Sequence, residues 1–350
     1  MTFSARIFFY CASLCLFISL VSCSKDGSAP GANTRPVFDT AESAKPVAVT
    51  EKEHRIYIRP KVGDVFRYAI AQHSSTSQTA TGVLSKNETA VSDDIFYVKE
   101  TIRAIRPDTS IDMTFRFDSL HIKMSNGKMN VDLSSNRPAD LKDSLFTSYA
   151  ALLGEDIGVI VTRFGDIKEM YGMSNIMNKV TKGYPDSLKT AQAMEAIKNQ
   201  VQSSVAQYIV ETMMRYPDHA LAKDSTQKAD FEQNVPVWAS VMYPMQIDIK
   251  QVLTGFEERS DKTFAVFNTL TTVRPTRSVI ENGPVKSTLN NFAATTKEDV
   301  HVEDATGVLV YRKVVEEQSY TLILESKAEP GKGLTTERKS KSVRTAELLR

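Results

Sequence analysis

Residue types that commonly carry catalysis are scattered along this chain in spacings that form no recognised site. No two of the five histidines (His54, His73, His121, His219 and His301) lie within 15 residues of each other, and no His-Glu-x-x-His sequence occurs. Ser225-Thr-Gln-Lys228 has the Ser-x-x-Lys spacing, but the Ser-Asp-Asn and Lys-Thr-Gly sequences that such an acyl-transfer site requires are absent. The adjacent acids Asp93-Asp94, Glu257-Glu258 and Glu316-Glu317 would point to opposite faces of strands. We therefore expect no enzyme, no metal site and no cofactor.

A group of methionines indicates apolar binding more than it indicates catalysis. Methionine is flexible and polarisable, so it suits apolar pockets that adapt to their contents. Three interpretations stay open at this stage: ordinary core packing, a pocket for a lipid or another apolar ligand, and a Cu(I) thioether site. The candidate pocket consists of Met170, Met173, Met177, Met194, Ile197, Val201, Met213 and Met245.

The N-terminus has the pattern of an export signal. Arg6 precedes a 15-residue apolar run from Ile7 to Val21, which is shorter than the roughly 20 residues of a spanning helix. Leu20-Val21-Ser22-Cys23 resembles the bacterial lipobox, and Cys23 is the only one of the three cysteines in such a context. The resemblance implies cleavage between Ser22 and Cys23, with a diacylglycerol on the sulfur and an acyl chain on the new amine.

The expected organisation follows from this anchor. Residues 1–22 would be the signal peptide, and 23–50 the lipid anchor with a flexible tether rich in Gly, Ala, Ser and Pro. Residues 51–350 would form a single β-rich domain with a helical insert at about 141–216. Ser24 after the anchor implies transfer to the outer membrane, and we favour its periplasmic face over the cell surface and the inner membrane. Lys25-Asp26 faintly resembles a surface-export tag, which keeps the second location open.

Composition excludes several classes of protein. The 350 residues contain 43 Lys+Arg and 42 Asp+Glu, a balance that argues against a nucleic-acid binder. Charged residues make up 24% and mean hydropathy is −0.25, which excludes a multispan membrane protein. A hydrophobic content of 41% excludes a disordered chain. Loss of residues 1–22 would leave Cys23 as the one cysteine, so no disulfide would form.

Alternating apolar residues predict many antiparallel strands. Strands are expected at 55–59, 65–72, 95–105 and 111–124, with a bulge near Asp118–Ser119 and a hairpin turn at Asn126-Gly127. A small hairpin is expected at 157–170, and further strands are expected at 245–250, 263–273, 287–292, 300–302, 308–315 and 320–325. The longest helix is expected from Ser187 to Tyr216, with an apolar stripe that must be buried. The fold class is α+β and mostly β: a large antiparallel sheet, as an open half-barrel or sandwich, with a helical layer from the middle of the chain.

The basic segment from Gly333 to Arg344 has two interpretations. It contains Arg338, Lys339, Lys341 and Arg344 against Glu337 alone. We interpret it as a charged edge strand that discourages sheet-to-sheet pairing. The other interpretation is a contact with anionic lipid headgroups or polysaccharide.

Two short sequences resemble a family of bacterial lipoproteins of unknown function. They are Val62-Gly-Asp-Val-Phe-Arg-Tyr68 and Asp304-Ala-Thr-Gly-Val-Leu309, and the resemblance could extend from about Arg55 to Leu349. It supplies no catalytic residues. The function expected from the sequence is a lipid-anchored envelope protein that carries or senses an apolar ligand without catalysing a reaction. The alternative is a structural lipoprotein that binds an envelope protein partner, as an accessory subunit of an outer-membrane complex.

Overall fold

A computed structural model describes residues 45–46, 54–82, 85–143, 145–182, 190–238, 241–328 and 333–349. The predictions for the signal peptide, for Ser22 and Cys23, and for most of the tether lie outside these residues. Within them, fourteen strands form one sheet: β1 (Lys45–Pro46), β2 (Val65–Gly82), β3 (Lys86–Ile105), β4 (Ile111–Ser125), β5 (Asn130–Ser134), β6 (Ile157–Val161), β7 (Ile167–Tyr171), β8 (Thr226–Trp238), β9 (Val241–Arg259), β10 (Lys262–Pro275), β11 (Val279–Asn282), β12 (Val285–Glu303), β13 (Val308–Ser326) and β14 (Gly333–Leu349).

Helical segments occupy the middle of the chain, as the sequence predicts. A 3₁₀ turn (Asp140–Lys142) precedes the helices α1 (Thr147–Ala150), α2 (Ser174–Val180) and α3 (Ala191–Thr212). The predicted start of α3 at Ser187 lies outside the described residues, and Thr190 caps the helix by accepting a hydrogen bond from Ala193 N at 3.2 Å. The predicted end at Tyr216 is four residues too late, because the helix ends at Thr212.

The sheet is antiparallel and does not close. Its order is β1-β9-β10-β12-β13-β14-β2-β3-β4-β6-β7, with β8 beside β9, β11 beside β12 and β5 beside β4. Within the described part of the chain, β7 at one edge does not pair with β1 or β8 at the other. This confirms the predicted mostly-β open sheet with a helical layer.

The strands are longer than the sequence pattern predicts, and their irregularities are local. The segments predicted at 287–292 and 300–302 are one strand, β12, whose pairing shifts at Asn290–Ala293 where Asn291 has φ +52°. The bulge predicted near Asp118 is confirmed, because Tyr97 pairs with Ser119 and Val98 with Phe117. The sequence pattern missed β8, and the predicted strand at 55–59 is wrong.

The basic segment is not an edge strand, contrary to our interpretation of the sequence. It forms β14, which lies between β13 and β2 in the interior of the sheet. Its charges are accommodated by acids of the neighbouring strand: Lys341 Nζ lies 2.6 Å from Glu317, and Arg344 Nη2 lies 2.6 Å from Glu316. Opposite charges across a strand pair favour pairing, so a basic strand here finds its partner within the same sheet.

One face of the sheet, here called the inner face, curves around α3. Ile70 of β2, Ala346 of β14 and Val300 of β12 share this face through the strand register. Phe96 of β3 and Phe267 of β10 belong to one buried cluster. These two strands lie five positions apart in the sheet, about 24 Å if the sheet were flat. A cluster that includes both therefore requires the sheet to bend toward the inner face.

The segment from His54 to Pro60 closes one end of the curved sheet by bonding to loops instead of joining the strand ladder. Ile58 N donates to Arg163 O at 2.9 Å, and Arg59 N donates to Thr306 O. Gly307 lies against this segment, where a Cβ would stand 2.1 Å from the carbonyl oxygen of Tyr57. With φ +63° as well, this position requires glycine.

Candidate functional site

The inner face has an apolar cluster at each end and polar residues between them. The helix-side cluster includes Ile70, Phe96 and Val205, and the hairpin-side cluster consists of Val237, Tyr243, Met245, Leu289, Tyr320 and Leu322. Between them, the register places a row of polar side chains that we call the polar belt: Ser74, Thr76, Ser340, Ser342, Glu316, Gln318 and Thr296. Ser74 and Thr76 are buried and the other five are half-buried, so the inner face offers apolar surface beside hydrogen-bonding groups, an arrangement suited to an amphiphilic molecule.

Helix α3 covers the helix-side end of the inner face. Val205 and Ile209 are fully buried, and Tyr208 packs on Phe96 and Phe117 with ring centroids 4.6 and 5.2 Å away. The spacing of these residues places them on one side of the helix, as the sequence pattern predicts. The first half of the helix is much less buried, and Ile197 is only partly covered.

The C-terminal end of α3 is fixed to the sheet by a network of charges. The guanidinium of Arg312 donates to the carbonyl of Val210 and lies 2.8 Å from Glu298. Arg344 Nε lies 3.1 Å from Glu211, which is in the last turn of the helix. Cations at the C-terminal end of a helix also interact favourably with its free carbonyls.

Burial raises the pKa of two carboxyl groups on β3 into the neutral range or just above it. Burial raises the pKa of Glu100 to about 8, and the bond to the Thr212 hydroxyl opposes part of that rise. Burial raises the pKa of Asp94 to about 7, against the opposing bond from Ser92 at 2.7 Å. Because six residues separate them along one strand, the carboxyls lie roughly 20 Å apart and form no acid–base pair.

The hydroxyl of Thr212 joins the end of α3 to β3. Thr212 Oγ1 donates to Glu100 Oε1 and lies 2.9 Å from Ile209 O, so its one proton is shared between two acceptors. A bond donated to the carboxyl favours its ionised form, but the burial of Glu100 has the larger effect and raises the pKa.

The structure separates the residues of the predicted apolar pocket into two groups. Met173, Val201 and Met213 are buried in the helix-side cluster, and Met170, Met177 and Ile197 pack against it with partial exposure. Met194 is half-buried on α3. Met245 is fully buried in the hairpin-side cluster, so the structure does not bring it to the other seven.

The outer face of the sheet carries a groove. Its volume is about 430 Å³, and it crosses β12, β13, β14 and β2. Its lining is mainly hydroxyl and charged side chains, including Ser75, Ser77, Ser319, Lys339 and Lys341. This groove lies on the opposite side of the sheet from α3 and contains none of the predicted pocket residues.

The other chemical motifs of the sequence occupy structural positions. Ser225 Oγ accepts a hydrogen bond from Ala222 N at 2.9 Å, which fits a turn better than a nucleophile. His73 and His121 each contact one aspartate, at 2.8 and 2.9 Å. No group of three or more His, Cys, Asp or Glu in the described ranges could hold a metal ion. Nor does any helix in those ranges combine the length and apolar character needed to cross a bilayer.

Sequence reasoning missed the buried polar residues of the inner face. Glu100 lies on the same side of β3 as Phe96, Val98 and Ile102, so an acid within an apolar alternation was a readable signal. Arg338 is 4% exposed, but its strand has polar residues on both faces, so alternation gives no indication of its burial.

Among solved structures, the chain shows only remote likenesses. A structure concerning lipid–protein interactions in lipovitellin matches 83% of this chain with a TM-score of 0.41 and 11% identity, and this chain spans 25% of the lipovitellin chain. Pseudomonas aeruginosa OccK5 (OpdH) matches 81% of this chain and 98% of its own, with a TM-score of 0.24 and 5% identity. A BenF-like porin from Pseudomonas fluorescens Pf-5 matches 83% of this chain and 100% of its own, with a TM-score of 0.19 and 7% identity. At these TM-scores the likenesses carry no argument about function.

Sequence comparison identifies a family for this chain but no activity. No curated protein matches the chain. The model of a family of unknown function (DUF6263) matches residues 108–302, which is more than half of the 350 residues. The matched part begins near β4 and includes α3 and the strands up to β12. The chain therefore belongs to this family of unknown function.

Proposed function

We propose that this protein is a non-enzymatic carrier or sensor of an amphiphile such as a lipid, which binds on the inner face of the sheet. The observation that carries the proposal is the inner face itself, where an open sheet holds two apolar clusters separated by the polar belt. Most domains have one main apolar core, whereas here buried hydroxyls such as those of Ser74 and Thr76 lie between two clusters. The head of an amphiphile would use these hydroxyls, and its chain would use the apolar clusters.

Helix α3 is suited to admit such a ligand. Its last turn is held by Arg312 and Arg344, whereas most side chains of its first turns are exposed or half-buried. Segments with few buried contacts open at lower free energy than the rest of a fold. Met173 and Met213, which are buried at the start of α2 and at the end of α3, have flexible side chains that can repack around a bound ligand.

The proposed location follows from the N-terminal sequence. A lipidated Cys23 would hold the protein at the outer membrane, on the periplasmic face in preference to the cell surface. The alternative function, an accessory subunit of an outer-membrane complex, would place a protein partner where we propose the amphiphile. Protease added to intact cells tests the location, because tether cleavage before permeabilisation would contradict the periplasmic face.

Thermal unfolding tests the proposed carrier directly. Protein purified from its own envelope would be melted before and after bound lipid is removed on a hydrophobic resin, and again after the extracted lipid is returned. A ligand present at 100 times its Kd stabilises the folded state by about 2.7 kcal/mol. We expect the melting temperature to fall on stripping and to recover on return. An unchanged melting temperature through all three steps would overturn the carrier, and a co-purified protein in constant ratio would favour the accessory subunit.

A further inference from the structure

Arg338 is a buried cation at the boundary between the polar belt and the hairpin-side cluster. It lies on β14 directly opposite Tyr320 of β13 and Gln78 of β2, which places its side chain on the inner face. The residue is 4% exposed. Its cover is the β8–β9 hairpin, because the Tyr320 hydroxyl donates to Val237 O at 2.7 Å and so holds the end of β8 over this part of the sheet.

The other poorly exposed arginines on this sheet differ from Arg338 in having carboxylates beside them. Arg259 contacts Glu257, Arg312 contacts Glu298, and Arg344 contacts Glu316 and Glu211. Arg338 has no carboxylate within ion-pair distance among the described residues. Its guanidinium hydrogen-bonds the Tyr320 hydroxyl, and its Nε has no hydrogen-bond partner. Burying a guanidinium without a counter-charge costs free energy. The buried Arg338 therefore indicates a site at which a bound anion supplies the missing negative charge.

The groups around Arg338 match the two ends of an amphiphile. On one side, the Thr76 hydroxyl is buried without a hydrogen-bond partner, one row further along the polar belt. On the other side lie Leu322 and Leu289, both fully or almost fully buried in the hairpin-side cluster. A guanidinium donates in a planar fork that fits the two oxygens of a carboxylate or phosphate.

We propose that Arg338 binds the anionic headgroup of a single-chain or multi-chain amphiphile, whose apolar part lies against the hairpin-side cluster. This inference rests on the proposed carrier function and names its ligand class: an acyl chain ending in a carboxylate or phosphate. Hydroxyls such as that of Thr76 complete the coordination of the headgroup.

Photocrosslinking of the full lipidated chain in phosphatidylcholine vesicles tests the assignment. The probes are a palmitic acid with a diazirine in its chain and the methyl ester of the same compound, which differ only in the charge of the head. Labelled peptides are identified by mass spectrometry, and label on residues 226–259 and 308–326 reports the inner face near Arg338. We expect the acid to label these peptides at least tenfold more than the ester does.

Two variants test whether the charge of Arg338, and not a general change in the fold or surface charge, determines labelling by the acid. Arg338→Met should reduce labelling by the acid at least tenfold, while Lys339→Met, which removes an adjacent charge on the outer face, should leave it unchanged. Equal labelling by acid and ester in the wild type would overturn the anion site but leave the carrier function standing. Absence of label from the inner face with both probes would overturn both. If Arg338→Met does not fold, the acid-to-ester ratio in the wild type decides alone.

Discussion

Glu100 connects β3 to the end of α3, and its buried carboxyl should make the stability of the fold depend on pH. The pKa of this buried carboxyl rises from an ordinary 4.5 to about 8 through desolvation. Between those two values the folded state binds a proton that the unfolded state has lost. The free energy of unfolding therefore falls as pH rises through this interval.

The size of the effect follows from the same numbers. Each pH unit across the interval from 4.5 to about 8 is worth about 1.4 kcal/mol, so the full effect is at most about 5 kcal/mol. Glu100→Gln replaces the carboxyl by a neutral amide, whose oxygen can still accept from Thr212 and which cannot ionise. At pH 5 the variant should match the wild type within about 1 kcal/mol. At pH 9 it should be the more stable protein by several kcal/mol.

Urea unfolding from pH 5 to pH 9 measures this difference. Glu88→Gln is the control, because Glu88 lies on the same strand with 43% of its side chain exposed beside Lys86. The control should follow the wild type at every pH. Parallel profiles for Glu100→Gln and the wild type would refute the argument that this carboxyl is buried in its protonated form.

Three further predictions concern the helix, a turn and the anchor. Val205→Asp should cost several kcal/mol by burying a charge between α3 and the sheet, whereas Gln207→Asp on the exposed side of the helix should cost little. Equal urea midpoints for the two variants would show that the apolar stripe of α3 is not buried. Gly307→Ala should destabilise strongly because its Cβ would meet a backbone carbonyl. Gly283→Ala is the control, because Gly283 also has a positive φ (+57°) but has open space around it, and this change should cost about 1 kcal/mol in thermal denaturation. Equal losses of stability in the two variants would contradict a close contact between Gly307 and the Tyr57 carbonyl. Cys23→Ala should abolish labelling of the protein by an alkyne fatty acid, and undiminished labelling would contradict a lipid anchor at Cys23.

Alternation of apolar residues predicted most strands that have one apolar face, but it was misleading at 55–59, where the segment bonds to loops. Met245, Ile247 and Ile249 predicted β9, and Asn126-Gly127 predicted the turn between β4 and β5. The second half of β2, from Ser74 to Gly82, was missed because hydroxyl residues occupy both of its faces. The polar belt was unpredictable for the same physical reason, since Ser74 and Thr76 are buried by the curvature of the whole sheet and not by their own pattern.

Charge was the least reliable guide to position in the sheet. A basic segment at a sheet edge is common because it discourages pairing between molecules. Here, Glu316 and Glu317 of β13 face the basic strand, so β14 lies in the interior. The burial of Arg338 depends on the β8–β9 hairpin that covers it, and β8 itself was not predicted from the sequence.

Native mass spectrometry with lipid extraction would show whether the inner face holds an amphiphile. The protein would be purified from its own envelope, sprayed intact, and compared in mass with the same sample after extraction in organic solvent. We expect an added mass that leaves on extraction and is recovered as an anionic amphiphile in a fixed ratio to protein. A protein that carries only the mass of its chain and its covalent lipid, with no recoverable amphiphile, would contradict the claim that the inner face binds one.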